Sequence, residues 1–236
     1  MQSQAVAVTE PSKSLAVAGG VNPFVAYGES VSQTHILGKM LKFAKGDYLA
    51  GEHSELIPVG TKLVVNLDWL AIGWVRWGSG KPTEHRMVRV ADNEAPPKRS
   101  ELGDLDQTIW EKDNTGELRD PWTFTNYVPM ATEDGELFTF ATSSRGGITA
   151  VGKLSTLYGR HCAKHRDEFP VVELGVGTYL HANKAYGRIK FPEFTVVGWT
   201  SKSTFDRALA AAGLTDAYGG EPDDVQPIDD GDSIPF

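Results

Sequence analysis

From about residue 36, apolar and polar positions alternate with the period of strands rather than of helices. The alternation predicts strand in "HILGKMLKFAKGDYLAG" (35–51), in "PVGTKLVVNLDWLAIGWVRWGSG" (58–80) and in "EHRMVRVAD" (84–92). Its longest run is "KLVVNLDWLAIGWVRW" (62–77). There Leu63, Val65, Leu67, Trp69, Ala71, Val75 and Trp77 share one parity and make a continuous apolar face. This reads as a single long strand coiled around a small barrel, with Gly73 where it bends or bulges. On the other parity, Trp74 and Arg76 are expected to look outward.

Residues 93–122 lose the alternation and are rich in turn formers, so a long insertion or a loop with a short helix is expected, over about 92–134. "ELFTFATSS" (136–144) resumes as strand. The period then changes. In 149–165, Val151, Leu154, Tyr158 and Cys162 fall on one helical face and Lys153, Arg160 and Lys164 on the opposite one. Strands follow at 169–183 and 187–200, then a short helix with Ser203 as N-cap and Gly213 as its stop. Several strands, a helix and two further strands is the order of an OB-fold barrel. The expected fold is mainly β: an OB-fold-like barrel over 31–213 with one helix before the last strands, a short C-terminal helix and disordered termini. The Ala-, Ser-, Gly- and Pro-containing residues 1–30 read as a flexible arm, and 214–236 as a disordered acidic tail.

Composition adds three constraints. Apolar residues at 40% of the chain suffice for a core, and no apolar run approaches a membrane span. The single cysteine, Cys162, excludes an intrachain disulfide and fits a reducing, cytoplasmic setting. The formal net charge of −8 is unevenly spread: 221–236 hold six acids and no base, so the rest of the chain carries only −2. Residues 101–136 contain ten acids, whereas 142–207 contain ten Lys/Arg against five acids. A polyanionic ligand is therefore compatible with the acidic average.

The last residues, "PIDDGDSIPF", place Asp229, Asp230 and Asp232 before Ile234, Pro235 and Phe236. A partner for such a segment needs an apolar pocket for the Phe ring, a cation for the terminal carboxylate and a basic rim for the aspartates. Over Asp229–Phe236 the chain resembles the single-stranded DNA-binding proteins of bacteria and their phages, whose C-termini end in an acidic stretch closed by Ile-Pro-Phe. Gly231 and Ser233 break up the denser aspartate run usual there, so a divergent phage or mobile-element version is the better reading. The resemblance implies a location in the cytoplasm of a bacterial host cell, and a tail that docks onto host or phage DNA replication, recombination and repair proteins and competes with DNA for the protein's own groove. No cofactor or metal is expected, and the resemblance leaves homo-oligomerisation open.

Sequence-tolerant binding of a single strand needs cations along a groove and aromatics on which bases stack. The residues that fit are Lys42, Lys45, Trp74, Arg76, Arg89, Tyr179, His181, Tyr186, Arg188 and Lys190. Trp69, Trp77, Phe138 and Phe140 are assigned to packing instead. Other motifs fail: "WGSGKPT" lacks the glycine and hydroxyl residue of a phosphate loop. His161 and His165 are one helical turn apart but have no third metal ligand in view. "DLD" (104–106) reads as a solvated loop. The expected function is a non-enzymatic protein that coats single-stranded DNA and recruits partners through its tail. A phage nuclease carrying the same tail and a protein-interaction scaffold are the alternatives.

Overall fold

The computed structural model describes residues 36–112, 116–184 and 187–214. The expected arm (1–30) and the tail from 215 onward lie outside them. The described residues form ten strands: β1 (Lys39–Ala44), β2 (Asp47–Ala50), β3 (Glu55–Ile57), β4 (Lys62–Val65), β5 (Ala71–Gly78), β6 (Lys81–Arg89), β7 (Trp122–Ala131), β8 (Leu137–Thr142), β9 (Glu168–Leu180) and β10 (Arg188–Ser201). Helix α1 (Arg145–Cys162) precedes β9, and α2 (Ser203–Ala211) follows β10. The protein is mainly β, and its strands join in one sheet ordered β10-β9-β4-β7-β8-β1-β2-β3, with β5 and β6 branching from β7. All pairs are antiparallel except β1 with β8.

Cross-strand partners share a face, so the register shows where the core lies. Leu63 stands opposite Val172, Val65 opposite Met130 and Phe140 opposite Val128, all of them buried. The single strand expected over 62–77 is instead two. Residues 66–70 leave the ladder in a turn, in which Asn66 Oδ1 accepts from the Trp69 N–H at 3.3 Å and Leu67 O accepts from the Leu70 N–H at 3.2 Å. Apolar alternation runs on through the break because Leu67 is itself buried and Trp69 packs edge-on against Phe205, while Leu70, on the other parity, is buried as well. The turn reverses the parity. Ile72, Trp74 and Arg76, opposite Asn126, Phe124 and Trp122, continue the Met130 face, whereas Ala71, Val75 and Trp77 join Tyr127 and Met87 in a second, smaller cluster. Gly73 marks a close approach rather than a bulge. Its φ is +155°, and a Cβ there would stand 2.1 Å from the Arg86 carbonyl oxygen. The β5–β6 register shift falls between Arg76 and Trp77.

Two boundaries also move. The insertion expected over 92–134 ends before β7, an almost wholly buried strand that pairs with β4, β5 and β8. Between β6 and β7 the described chain holds only short 3₁₀ turns and an isolated bridge from Lys112 to Leu118. Helix α1 starts at Arg145, where Ser144 Oγ accepts from the Gly147 N–H at 3.1 Å. Val151, Leu154 and Tyr158 are buried as the periodicity requires, and Cys162 is half-buried. The N-cap of α2 is Lys202, not Ser203. Its backbone N–H donates to Asp167 O at 2.8 Å, while its ammonium reaches Asp68, the acceptor of the Tyr158 hydroxyl. Gly213, at φ +70°, and the Leu214 N–H donating to Leu209 O end α2 as expected.

The sheet curls until β2 meets β9 and β10. Tyr48 is fully buried, and its hydroxyl lies 2.8 Å from the Gly175 carbonyl oxygen and 3.3 Å from that of Glu193. Gly46, in the β1–β2 turn, lies under Lys190, so closely that a Cβ would stand 2.2 Å from Lys190 Cδ. No strand pairing joins β10 to β1–β3 among the described residues, so the curl is compatible with an OB-like barrel but does not close it. No helix among the described residues is long and apolar enough to cross a membrane.

Candidate nucleic-acid interface

Helix α1 runs beside the edge strand β10 and touches it at Gly146, where a Cβ would stand 2.8 Å from Phe191 Cβ. Between the first turns of α1 and the outward face of the β9–β10 hairpin lies a cleft of about 740 Å³. The register pairs Tyr179 with Ile189 and Gly177 with Phe191, which sets Tyr179 and Phe191 on one face. Their ring centroids are 6.0 Å apart, and His181 lies 6.5 Å beyond Tyr179. Gly177 makes room for this wall: a Cβ there would strike the Phe191 ring at 2.2 Å. Tyr179 is 49% exposed. On the opposite wall, Arg145, Thr149 and Lys153 recur every fourth residue of α1 and all face solvent. Among the described residues neither Arg145 nor Lys153 has an ion-pair partner, and Glu193 is the acid in the lining. One wall is aromatic and the other cationic.

The residues expected to form a single groove are distributed over several places. Tyr179 and His181 line the cleft. Arg188 and Lys190 stand on the reverse of the same hairpin, opposite Leu180 and Thr178. Lys45 is not on a strand but in the β1–β2 turn, at φ +55°, and Lys42 is exposed on β1. Tyr186 lies outside the described residues, as do Asp229, Asp230, Asp232, Ile234, Pro235 and Phe236.

Trp74 and Arg76 do not look freely outward, because the segment between β6 and β7 folds back over β5, whereas Arg89 is exposed but paired with an acid near it in sequence. The Trp74 indole N–H donates to Pro97 O at 2.9 Å, and its ring meets Phe124 edge-on at 5.3 Å. Arg76 donates to both Asp104 oxygens at 2.8 and 3.1 Å, and Arg89 donates to Asp92 at 2.9 Å. Asp104 also accepts from the Trp122 indole at 2.9 Å. The Arg76 guanidinium, then the Trp122 N–H, hold the Asp104 carboxyl down at about 2. Arg99 forks onto Asp120, with both bonds at 2.8 Å. Acids of the "DLD" stretch are thus structural: Asp104 as above, and Asp106 through the N–H and hydroxyl of Thr108.

Arg145, Lys153 and Phe191 are not among the groove residues that the sequence points to. A helix started at Ser144 would have aligned Arg145 with Lys153, whereas Phe191 reads as core by parity. Beside the "HCAKH" pair stands a third group able to ligate, Glu168: its carboxylate and the His161 and His165 nitrogens all lie within 4.8 Å of one another. Comparison of the chain with known protein families, curated proteins and solved structures finds no match.

Proposed function

We propose that the protein binds single-stranded DNA, without chemistry of its own, along the cleft between α1 and the β9–β10 hairpin. The observation that carries this reading is the pairing of an exposed aromatic wall with two cations that have no acidic partner among the described residues. Arg145 and Lys153 would take backbone phosphates. Tyr179, with Phe191 behind it, would take the face of an unpaired base, which a duplex does not offer. Lys45, Arg188 and Lys190 would extend the positive field over the other side of the hairpin. The acidic segment Asp229–Phe236 would recruit DNA replication and recombination proteins, on the strength of its resemblance to the tails of single-stranded DNA-binding proteins.

Fluorescence anisotropy of labelled oligo-dT, against a duplex of equal length, tests the reading. Tyr179→Ala should weaken single-strand binding roughly 5- to 150-fold, equivalent to the loss of about 1–3 kcal/mol for one stacked base. Changing both Arg145 and Lys153 to Gln should flatten the dependence of log K on log salt by about 1.4, or about 0.7 for each phosphate no longer neutralised. Removing residues 221–236 should raise affinity at low salt and leave it unchanged at high salt. Equal affinity for duplex, or indifference to all three changes, overturns the proposal. Magnesium-dependent shortening of the DNA would put a nuclease in its place, and no binding to either nucleic acid would favour a protein scaffold.

A further inference from the structure

We infer that His161, His165 and Glu168 form a binding site for a divalent transition-metal ion of the zinc type. The three come from two elements and the turn between them: His161 from the last turn of α1, His165 from the turn that follows, and Glu168 from the first position of β9. The turn is fixed by its own backbone, since the N–H groups of Lys164 and His165 both donate to His161 O, at 3.0 and 3.1 Å. His161 Nε2 lies 2.7 Å from Glu168 Oε2, and His165 Nδ1 lies 3.8 Å from Glu168 Oε1. Two imidazole nitrogens and a carboxylate oxygen are the donor set of many zinc sites that keep a further position for water.

The arrangement is half-built for this. The His161 ring lies flat on the Trp199 indole, with centroids 3.5 Å apart and planes within 5°, and its side chain is only 19% exposed. That contact fixes the plane of the His161 ring. His165 stacks on the other face of His161 at 4.5 Å and is 52% exposed. An ion must lie near the plane of each imidazole it binds, so His165 has to rotate out of this stack, which its exposure permits. The ion would then take the place of the direct contact between His161 and Glu168. Lys164 and Arg166 are nearby exposed cations, and Asp167 an exposed acid. All three residues are exposed to water, where screening weakens their effect on the site.

The experiment is a calorimetric Zn²⁺ titration of the full, untagged chain, with imidazole ¹⁵N shifts recorded in parallel by NMR. The expected result is saturable binding of one ion that shifts the His161 and His165 nitrogens and spares those of His53. His165→Ala and Glu168→Gln should each lower affinity at least about tenfold, and His53→Ala should leave it unchanged. His161→Ala is avoided because it would also strip the packing from Trp199. Absence of saturable binding, or binding that leaves the His161 and His165 resonances in place, overturns the inference. Unchanged affinity in both ligand variants does the same. The NMR readout on the unaltered chain decides the matter even if a variant fails to fold.

Discussion

Asp104 ties the segment between β6 and β7 to the sheet. Its carboxylate serves Arg76 on β5 and Trp122 on β7, while its backbone carbonyl accepts from the Trp110 indole and from Arg99. Its pKa in the folded chain, about 2, is below the ordinary 3.8. A carboxyl depressed on folding adds stability above its unfolded pKa and loses that contribution as the pH falls through the folded value. Melting curves recorded from about pH 5 down to about pH 2 should therefore show Asp104→Asn less stable than the unaltered chain at the upper end, the two converging in acid. An offset that persists undiminished to the lowest pH would mean that the carboxylate's charge is not what matters. None of this could be read from the sequence, because Arg76 and Asp104 meet only when an irregular segment folds back.

At the scale of elements, Gly73 marks a sharp local demand, where β5 and β6 come too close for a side chain. Gly73→Ala should cost roughly 1–3 kcal/mol, through both its backbone conformation and the clash with the Arg86 carbonyl. The measurement is a urea midpoint, and a change within error would mean that the strands part without cost. Helix α1 and strands β9 and β10 were legible in the sequence because one period holds along each and each buries one face. The break at 66–70 was not, because a turn that buries Leu67 and packs Trp69 against Phe205 preserves the alternation of a strand. Strand β7 was hidden for the opposite reason. Buried on both faces, "WTFTNYVPMA" keeps no alternation and contains a proline, Pro129, usually taken as a strand breaker. The candidate site was half legible: Tyr179 followed from parity, whereas the cationic wall depended on where α1 begins. Glu168 joins the histidines through a turn whose shape the sequence does not display.

The whole molecule is organised around a fork. Along one side of β7, the Trp122–Tyr127 half pairs with β5, while Met130 and Ala131 pair with β4; β8 runs along the other side. Between the two ladders the Asn66 N–H donates to Pro129 O at 3.0 Å, at the point where the chain leaves β4 to return as β5. The proposed DNA cleft and the His–His–Glu cluster both belong to the β9–β10 side, whereas β6, reached through β5, and the segment that covers β5 belong to the other branch. A branch joined to the rest of a sheet through one ladder can open as a cooperative unit without the remainder unfolding. In native-state hydrogen exchange, amides of β5 and β6 should therefore exchange together and ahead of those of β4, β8 and β9, with β7 divided between its two halves. The two arms of this sheet would then differ in lifetime while sharing a strand, so the hairpin that lines the proposed cleft could hold its shape as the far branch breathes.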